Sequence, residues 1–210
     1  MTAAATPKGT RRRSRLIEAA GALLLEGGFD AVRHRAVAER ADMPLASTTY
    51  YFASLEDLMA QAASYVTRES DEAIAARSAA LARRRRGGAA TAQALSEVFV
   101  GEETPIHELA TRYELIALAA RYPLLGEVVV SRRSRVAAIH TEVLDKSGRE
   151  ADAAGVRRLI AVEDGAVVGA LGNGGSDPCE AVREALHGVV DVLAPPCGVR
   201  GGAKNGAAKR

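Results

Sequence analysis

The segment from Arg35 to Phe52, RAVAERADMPLASTTYYF, constrains the fold of this chain more than any other feature. Its first half places Val37 and Ala41 at helical spacing. Pro44 suits the first turn of a second helix, where its missing N–H costs nothing. Asp42-Met43 lies between the two and predicts a tight turn. The segment therefore predicts two short helices joined by a turn, which is the arrangement that a helix-turn-helix uses to place side chains in a DNA groove.

The composition favours helices along the whole chain. Apolar residues make up 48% of the 210 residues and aromatics only 4%, so the β-branched and aromatic runs typical of strands are nearly missing. Helical periodicity predicts about nine helices. We expect an all-α fold with a three-helix helix-turn-helix DNA-binding domain over residues 10–55 and a second helical domain over 56–195. The tails 1–9 and 198–210 are poor in apolar groups and are expected to be disordered.

Glycine and proline mark the expected helix ends. Gly27-Gly28 should end the first helix, because glycine adopts the left-handed conformation that closes helices. Gly87-Gly88 should end the fourth helix, which we expect to run to about Arg86. Asp177-Pro178 opens a ninth helix that should continue to about Leu193.

The basic residues are unevenly distributed. The formal net charge of +2 is too small to indicate nucleic acid by itself, but Lys and Arg outnumber acids between Met1 and Leu55, the segment with the predicted DNA motif. Arg11-Arg12-Arg13 could lie along the DNA backbone or enter a minor groove as basic arms do. Two other sets are interpreted structurally. Arg83 to Arg86 is expected to be a solvated helix end, and Arg132, Arg133 and Arg135 an exposed face.

Several classes of protein are disfavoured. The two cysteines, Cys179 and Cys197, have no C-x-x-C partner or nearby histidine, so we expect free thiols in a reducing compartment, no metal and no cofactor. No signal peptide or membrane span is visible, which predicts a soluble, cytoplasmic protein without membrane contact. The histidines show no metal-ligand spacing, and no nucleophile elbow or phosphate loop occurs, so we do not expect an enzyme.

Short patterns follow one another between about Arg11 and Met59. They are Ala19-Ala20 with Leu23-Leu24, Glu26-Gly27-Gly28-Phe29, Val37-Ala38-Glu39-Arg40-Ala41, Tyr50-Tyr51-Phe52 and Ser54-Leu55-Glu56-Asp57-Leu58. In this order they resemble the tetracycline-repressor (TetR) family of bacterial transcription regulators. Beyond residue 60 the similarity is architectural, except that residues 164–168 are similar to a helix-eight signature. Two departures are Asp42, where the family usually has glycine, and Leu55, where a phosphate-binding lysine is frequent.

The helix-turn-helix indicates which residues would touch DNA. In such motifs the start of the second helix meets base edges, and hydroxyl and methyl groups can read bases. Other polar side chains would bind phosphate oxygens, which position the protein without reading sequence. The candidate base readers are Leu45, Ala46, Ser47 and Tyr50. The other candidates for DNA contact are Arg11, Arg12, Arg13, Arg33, His34, Arg35, Thr49 and Tyr51, of which Arg35 could reach either a guanine or a phosphate.

The resemblance implies that residues 56–195 bind an unknown small molecule and dimerise, and that the homodimer binds a near-palindromic operator in double-stranded DNA. We expect a ligand-responsive regulator, most simply a repressor that releases its operator. A DNA-binding protein controlled by a protein partner, and a small helical enzyme, stay open as alternatives. The pocket candidates are Met59, Tyr65, Phe99, His107, Tyr113, Leu118 and Tyr122. The dimer candidates are Gly165, Gly169, Val182, Leu186, Val189 and Val190, with burial inside the same chain as the alternative for this apolar face.

Overall fold

A computed structural model describes residues 7–198, and over that range it contains ten α-helices and no strand apart from one isolated bridge between Arg149 and Pro196. The helices are α1 (Pro7–Ala31), α2 (His34–Arg40), α3 (Leu45–Tyr51), α4 (Leu55–Ala80), α5 (Gly88–Phe99), α6 (Ile106–Leu118), α7 (Pro123–Lys146), α8 (Ala153–Gly172), α9 (Pro178–His187) and α10 (Val190–Leu193). The expected all-α fold is confirmed. Among these helices none is long and apolar enough to cross a bilayer.

The chain forms two compact units. Unit 1 contains residues 7–73 and 104–135, and unit 2 contains 74–103 and 136–198. The chain passes between the units three times: inside α4, in the connection between α5 and α6, and inside α7. The compact units are not divided near residue 55. The border expected there, between the DNA-binding domain and the second helical domain, therefore stays a prediction about the functions of the two segments.

The core of unit 1 is built on the apolar face of α1. Leu16 and Leu24 are fully buried, and each contributes about 1.5–3 kcal/mol by leaving water. α1 packs against α2 and α6, and α2 packs against α3. Val37 and Phe52 join the same core and connect the two short helices to α1. The two short helices α2 and α3 are thus stabilised by long-range packing, since helices of seven residues are too short to be stable in isolation.

The core of unit 2 is built around α9, which packs against α5 and α8. Val182, Leu186 and Val190 have no exposed surface within the single chain. The expectation that these three residues form a dimer surface is therefore wrong. Their apolar stripe is covered by helices of the same chain.

Unit 2 also contains a buried polar pair. His140 of α7 lies within 2.7 Å of a carboxylate oxygen of Glu163 on α8, and its other ring nitrogen donates to the carbonyl of Val136. The ring of Phe99 stacks on the imidazole with a centroid separation of 3.6 Å. These contacts satisfy both ring nitrogens of the buried imidazole.

Three expected boundaries differ from the structure. α4 ends at Ala80 and not near Arg86, and α10 is separated from α9 near Gly188. Residues 7–9 belong to α1, although the sequence placed them in a disordered tail; residues 1–6 and 199–210 lie outside the described part of the chain. As predicted, Gly27 and Gly28 depart from helical geometry, with φ of −144° and +67°.

Candidate nucleic-acid interface

The turn between α2 and α3 is tight and locally determined. Asp42 has φ of +50°, a left-handed conformation that aspartate tolerates better than most residues. The N–H of Met43 donates to the carbonyl of Ala38 at 2.9 Å, which closes the turn. Pro44 then caps α3 in an extended conformation. Aspartate at position 42 thus accommodates the tight turn, and the helix-turn-helix is formed as the sequence predicted.

α3 has an inward and an outward face. Thr48 is fully buried, and its hydroxyl donates to the carbonyl of Leu45 at 2.8 Å. Tyr50 is 81% exposed and Leu45 is 51% exposed. Ala46 and Thr49 are exposed beside them. This outward face offers methyl groups, a hydroxyl and a phenol, which are groups that can contact base edges and phosphates in a major groove.

Two other candidates on α3 are less accessible. Ser47 is half-buried, and Tyr51 is half-buried and packs against the core of unit 1. The rings of Tyr50 and Tyr51 meet edge to face with centroids 4.9 Å apart. Adjacent tyrosines on a helix cannot share one buried face, and the positions of these two agree with that prediction. The ring of Tyr51 can therefore restrict the position of the Tyr50 ring through this edge-to-face contact.

The basic residues near the motif differ in what their guanidinium groups contact. Arg11 and Arg12 are exposed within α1 and so belong to a helix, not to an extended arm. The guanidinium of Arg13 lies 5.6 Å from the centroid of the Phe52 ring. Arg33 donates to the carbonyls of Phe29 and Val32 and to Asp30, which closes the end of α1. Arg11 and Arg12 are consequently the more available cations.

The start of α2 contributes two further candidates. Arg35 is exposed and pairs with Glu39 one turn later at 3.0 Å. His34 is half-buried, and its Nδ1 atom is buried without a hydrogen-bond partner among the described residues. An exposed ion pair of this kind contributes little to stability, so Arg35 can exchange its partner for a phosphate at small cost.

The start of α4 is capped from within the chain. The Ser54 hydroxyl accepts from the N–H of Asp57 at 3.0 Å, and the Asp57 carboxylate accepts from the N–H of Ala53 at 3.0 Å. Ser54 is therefore the N-cap of α4, and the carboxylate of Asp57 binds the backbone just before it. Position 55 at this helix end carries leucine and no cation.

The seven pocket candidates do not converge on one cavity. Met59 is in the core of unit 1, and Leu118 packs against that core. Phe99 stacks on His140 in unit 2, and Tyr65 lines an open groove between α1 and α4. The remaining three lie at the surface or partly buried: His107 and Tyr122 are exposed, and Tyr113 is half-buried.

Unit 1 has a small, mostly apolar cavity that sequence reasoning missed. Its volume is about 20 Å³, which is room for about one water molecule. Four helices form its wall, and no local pattern in the sequence brings them together. The lining residues are Leu24, Phe29, Ala63, Val66, Thr67, Ser70, Glu108, Thr111, Arg112, Leu115 and Arg132.

A carboxylate connects α6 to the turn after α1. Both oxygens of Glu114 accept from the N–H of Phe29, at 3.2 and 3.3 Å. Glu114 also lies so close to Gly28 that a Cβ at that position would be 2.7 Å from a carboxylate oxygen. The turn that leads into α2 is therefore attached to α6, next to the cavity.

The arginines of α7 are not a uniformly exposed face, as the sequence had suggested. Arg132 and Arg135 both lie against Asp71, a buried carboxylate of α4. Arg135 Nε donates to Asp71 at 2.9 Å. Arg132 Nε lies 3.0 Å from the other oxygen, although it is not aligned as a hydrogen bond. The side chain of Arg132 is only 12% exposed, so the expectation of a solvated face is wrong for this residue.

The remaining dimer candidates lie on α8 and near α10. Gly165 and Gly169 are exposed, and a Cβ at either position would meet nothing within 4 Å. Val168 between them is 52% exposed. Val189 is half-buried. This face of α8 is thus open in the single chain, and its occupant stays a prediction.

Comparison with known proteins decides the family. A family described as "Bacterial regulatory proteins, tetR family" matches residues 16–62, and one described as "Tetracyclin repressor-like, C-terminal domain" matches residues 86–192. The chain belongs to the TetR family. It is therefore a DNA-binding transcriptional regulator and not an enzyme, which confirms the resemblance seen in the sequence.

Solved structures of TetR-family regulators agree with this assignment. The multidrug binding protein EbrR complexed with proflavin is 31% identical, with 83% of this chain and 97% of that chain covered and a TM-score of 0.66. A TetR-family member from Streptomyces coelicolor is 32% identical over 83% of this chain and 95% of its own, with a TM-score of 0.60. A comparison with curated protein sequences gives no match.

Within residues 7–198 of this TetR-family chain, no group of three histidine, cysteine or acidic side chains is placed to hold a metal ion. Both cysteines are free thiols.

Proposed function

We propose that this TetR-family chain is a homodimeric repressor that inserts α3 into the major groove and leaves its operator when a small molecule binds. The observation that carries the proposal is the exposure of Tyr50 and Leu45 on a helix whose opposite face is buried. Exposed side chains on the second helix of a helix-turn-helix are the ones that meet base edges in the major groove. The sequence they would read is a pair of half-sites separated by about one helical turn.

The proposal for α3 is tested with Tyr50→Ala. Operators are first selected from a random duplex library with the wild-type protein, and binding is then measured by fluorescence anisotropy at fixed salt. Loss of one well-packed base or phosphate contact should weaken binding about 5- to 150-fold, equivalent to about 1–3 kcal/mol. Tyr122→Ala, which removes an exposed tyrosine outside the motif, is the matched control. Equal affinity of Tyr50→Ala and wild type would contradict the docking of α3.

The open face of α8 supports a second copy of the chain as partner. Gly165 and Gly169 allow close approach of another helix, and Val168 supplies an exposed apolar group between them. Val168→Glu should convert the dimer to monomers in sedimentation velocity, because a carboxylate would be buried without a partner. Val130→Glu alters a valine that is also exposed, on α7, and should leave the association unchanged. A Val168→Glu protein that is still dimeric would remove α8 from the interface.

The cavity of unit 1 supports a site for the effector, provided that it opens. Ligand pockets for drug-sized molecules have volumes of roughly 300 Å³ or more, whereas this cavity has about 20 Å³. A ligand must therefore bind an expanded state more tightly than the state described here, which is the condition for shifting a population. Expansion would displace α6, and Glu114 attaches α6 to the turn at Phe29 that precedes the reading helices.

The effector step is tested with proflavin, because EbrR has been crystallised with that compound. Proflavin should lower the anisotropy of a labelled operator duplex by releasing it from the protein. Leu115→Phe, a modest enlargement of a side chain in the cavity wall, should reduce release while operator binding persists. Release that is identical in wild type and Leu115→Phe would exclude this cavity as the site.

A further inference from the structure

The arginine run Arg83–Arg86 lies in an irregular segment and not at a helix end. α4 ends at Ala80 and α5 begins at Gly88, and the run lies between them. The N–H of Arg84 donates to the carbonyl of Lys146 at 2.8 Å, and the N–H of Arg86 donates to the carbonyl of Ser147 at 3.0 Å. The backbone of the run is therefore fixed against the end of α7.

The four arginines divide into two pairs. Arg86 is buried, donates to the carbonyl of Ala82 at 2.8 Å, and has its pKa lowered by that burial. Arg83 binds Asp145 at 2.8 Å. Arg84 and Arg85 are exposed, and no hydrogen bond or ion pair to their guanidinium groups is found within residues 7–198. Two of the arginines thus have a structural role, and two do not.

Neighbouring acids are already engaged by other cations. Asp145 is bound by Arg83. Glu142 pairs with Lys146 at 2.8 Å, and Asp191 pairs with the buried Arg149 at 2.6 Å. The positive charge of Arg84 and Arg85 is therefore not neutralised by these carboxylates, and the local surface is basic.

The end of the described chain is attached beside this surface. The N–H of Cys197 donates to the carbonyl of Gly148 at 3.0 Å. A Cβ on Gly148 would lie 2.9 Å from Cγ of Arg85, so these residues are in contact. We use the term basic corner for Arg84, Arg85 and the attached segments 146–149 and 195–198.

We propose that the basic corner binds the phosphate backbone of duplex DNA, as a second contact separate from the helix-turn-helix. Arginine matches phosphate geometry with paired N–H donors, and the fixed backbone lowers the entropy lost on binding. Contacts to phosphate oxygens carry no base information, so the proposed contact is independent of sequence. This inference goes beyond the proposed repressor function, because it assigns a role to unit 2 on DNA.

The test measures the salt dependence of binding to a non-operator duplex of about 30 base pairs. Each phosphate contact contributes about 0.9 to the slope of log K against log salt. Arg84→Ala with Arg85→Ala should therefore reduce the slope by about 2, in wild type and in the Tyr50→Ala background alike. Operator selection by wild-type α3 should be unaffected, so failure of this inference and failure of the repressor proposal can be told apart.

Two control variants separate a local contact from a general charge effect. Arg84→Lys with Arg85→Lys keeps the charge and should keep most of the slope. Arg68→Ala with Arg121→Ala removes the same charge from exposed positions in unit 1 and should leave the slope unchanged. Melting temperatures measured in parallel show that every variant is folded.

Three outcomes would overturn the proposal. The first is an unchanged slope for the alanine pair at Arg84 and Arg85, and the second is an equal loss of slope for the control pair. The third is that the alanine pair at Arg84 and Arg85 loses binding only to phosphatidylglycerol vesicles, while its binding to the duplex persists. The third outcome would assign the basic corner to an anionic membrane surface instead.

Discussion

Replacement of Gly28 by alanine tests how the turn before the reading helices is held. Gly28 has φ of +67° and ψ of −169°, a region that is almost exclusive to glycine and costs other residues about 1–3 kcal/mol. The new methyl carbon would also lie 2.7 Å from a carboxylate oxygen of Glu114. Glu114 can move away, but it then gives up the N–H of Phe29, at a further cost of about 1–2 kcal/mol.

The two terms together predict a loss of about 3 kcal/mol in the free energy of unfolding. For a chain of this size that loss lowers the melting temperature by about 6–12 °C. Urea and thermal unfolding followed by circular dichroism measure both quantities. Gly87→Ala is the matched control, because Gly87 has φ of −67° and open space where the new methyl group would lie; it should change stability by less than about 1 kcal/mol.

A double-mutant cycle separates the backbone term from the carboxylate term. Glu114→Ala removes the hydrogen bond to Phe29 and also the steric conflict with a methyl group at position 28. The double variant should therefore lose about 1–2 kcal/mol less than the sum of the two single variants. A Gly28→Ala protein within about 0.5 kcal/mol of wild type would refute both the strain and the attachment of α6 to this turn.

Two further outcomes follow from buried groups. Burial raises the pKa of the Cys179 thiol, so at pH 8 a thiol reagent should label the half-buried Cys197 many times faster than Cys179, and equal rates would contradict the packing around α9. Asp71→Asn leaves Arg132 nearly buried without its carboxylate and should cost about 3 kcal/mol in urea unfolding. Arg135→Ala, which removes the more exposed partner, should reduce the free energy of unfolding clearly less. An equal reduction for the two variants would show that burial does not determine how much each ion pair of Asp71 contributes to stability.

Much of unit 1 could be predicted from sequence because its signals are local. The break at Gly27-Gly28, the turn at Asp42 and the outward position of Tyr50 each follow from residues close together in the chain. The glycine breaks, the turn residues and the N-cap at Ser54 act over fewer than five residues. Such features are readable without knowledge of the neighbouring helices.

The misread arginines concern partners that are distant in sequence. Good helix formers continue to Arg86, yet the run leaves the helix after Ala80 because its backbone binds the end of α7. The arginines at the end of that run were therefore misread as a helix end, and Arg132 was misread as solvated because its partner Asp71 lies 61 positions away in the chain. Intrinsic propensity is a weak determinant beside such tertiary contacts.

By itself the sequence of this chain determined which segments are helical, where the helix-turn-helix has its turn and which side of α3 faces water. Each of these depends on periodicity and on the conformational limits of glycine, proline and aspartate. Only the tertiary structure decided what covers each apolar face. The sequence indicates that the apolar stripe on α9 must be buried. It does not indicate whether α5 and α8 or a second chain covers that stripe. Burial free energy depends on the area removed from water and not on the identity of the covering surface.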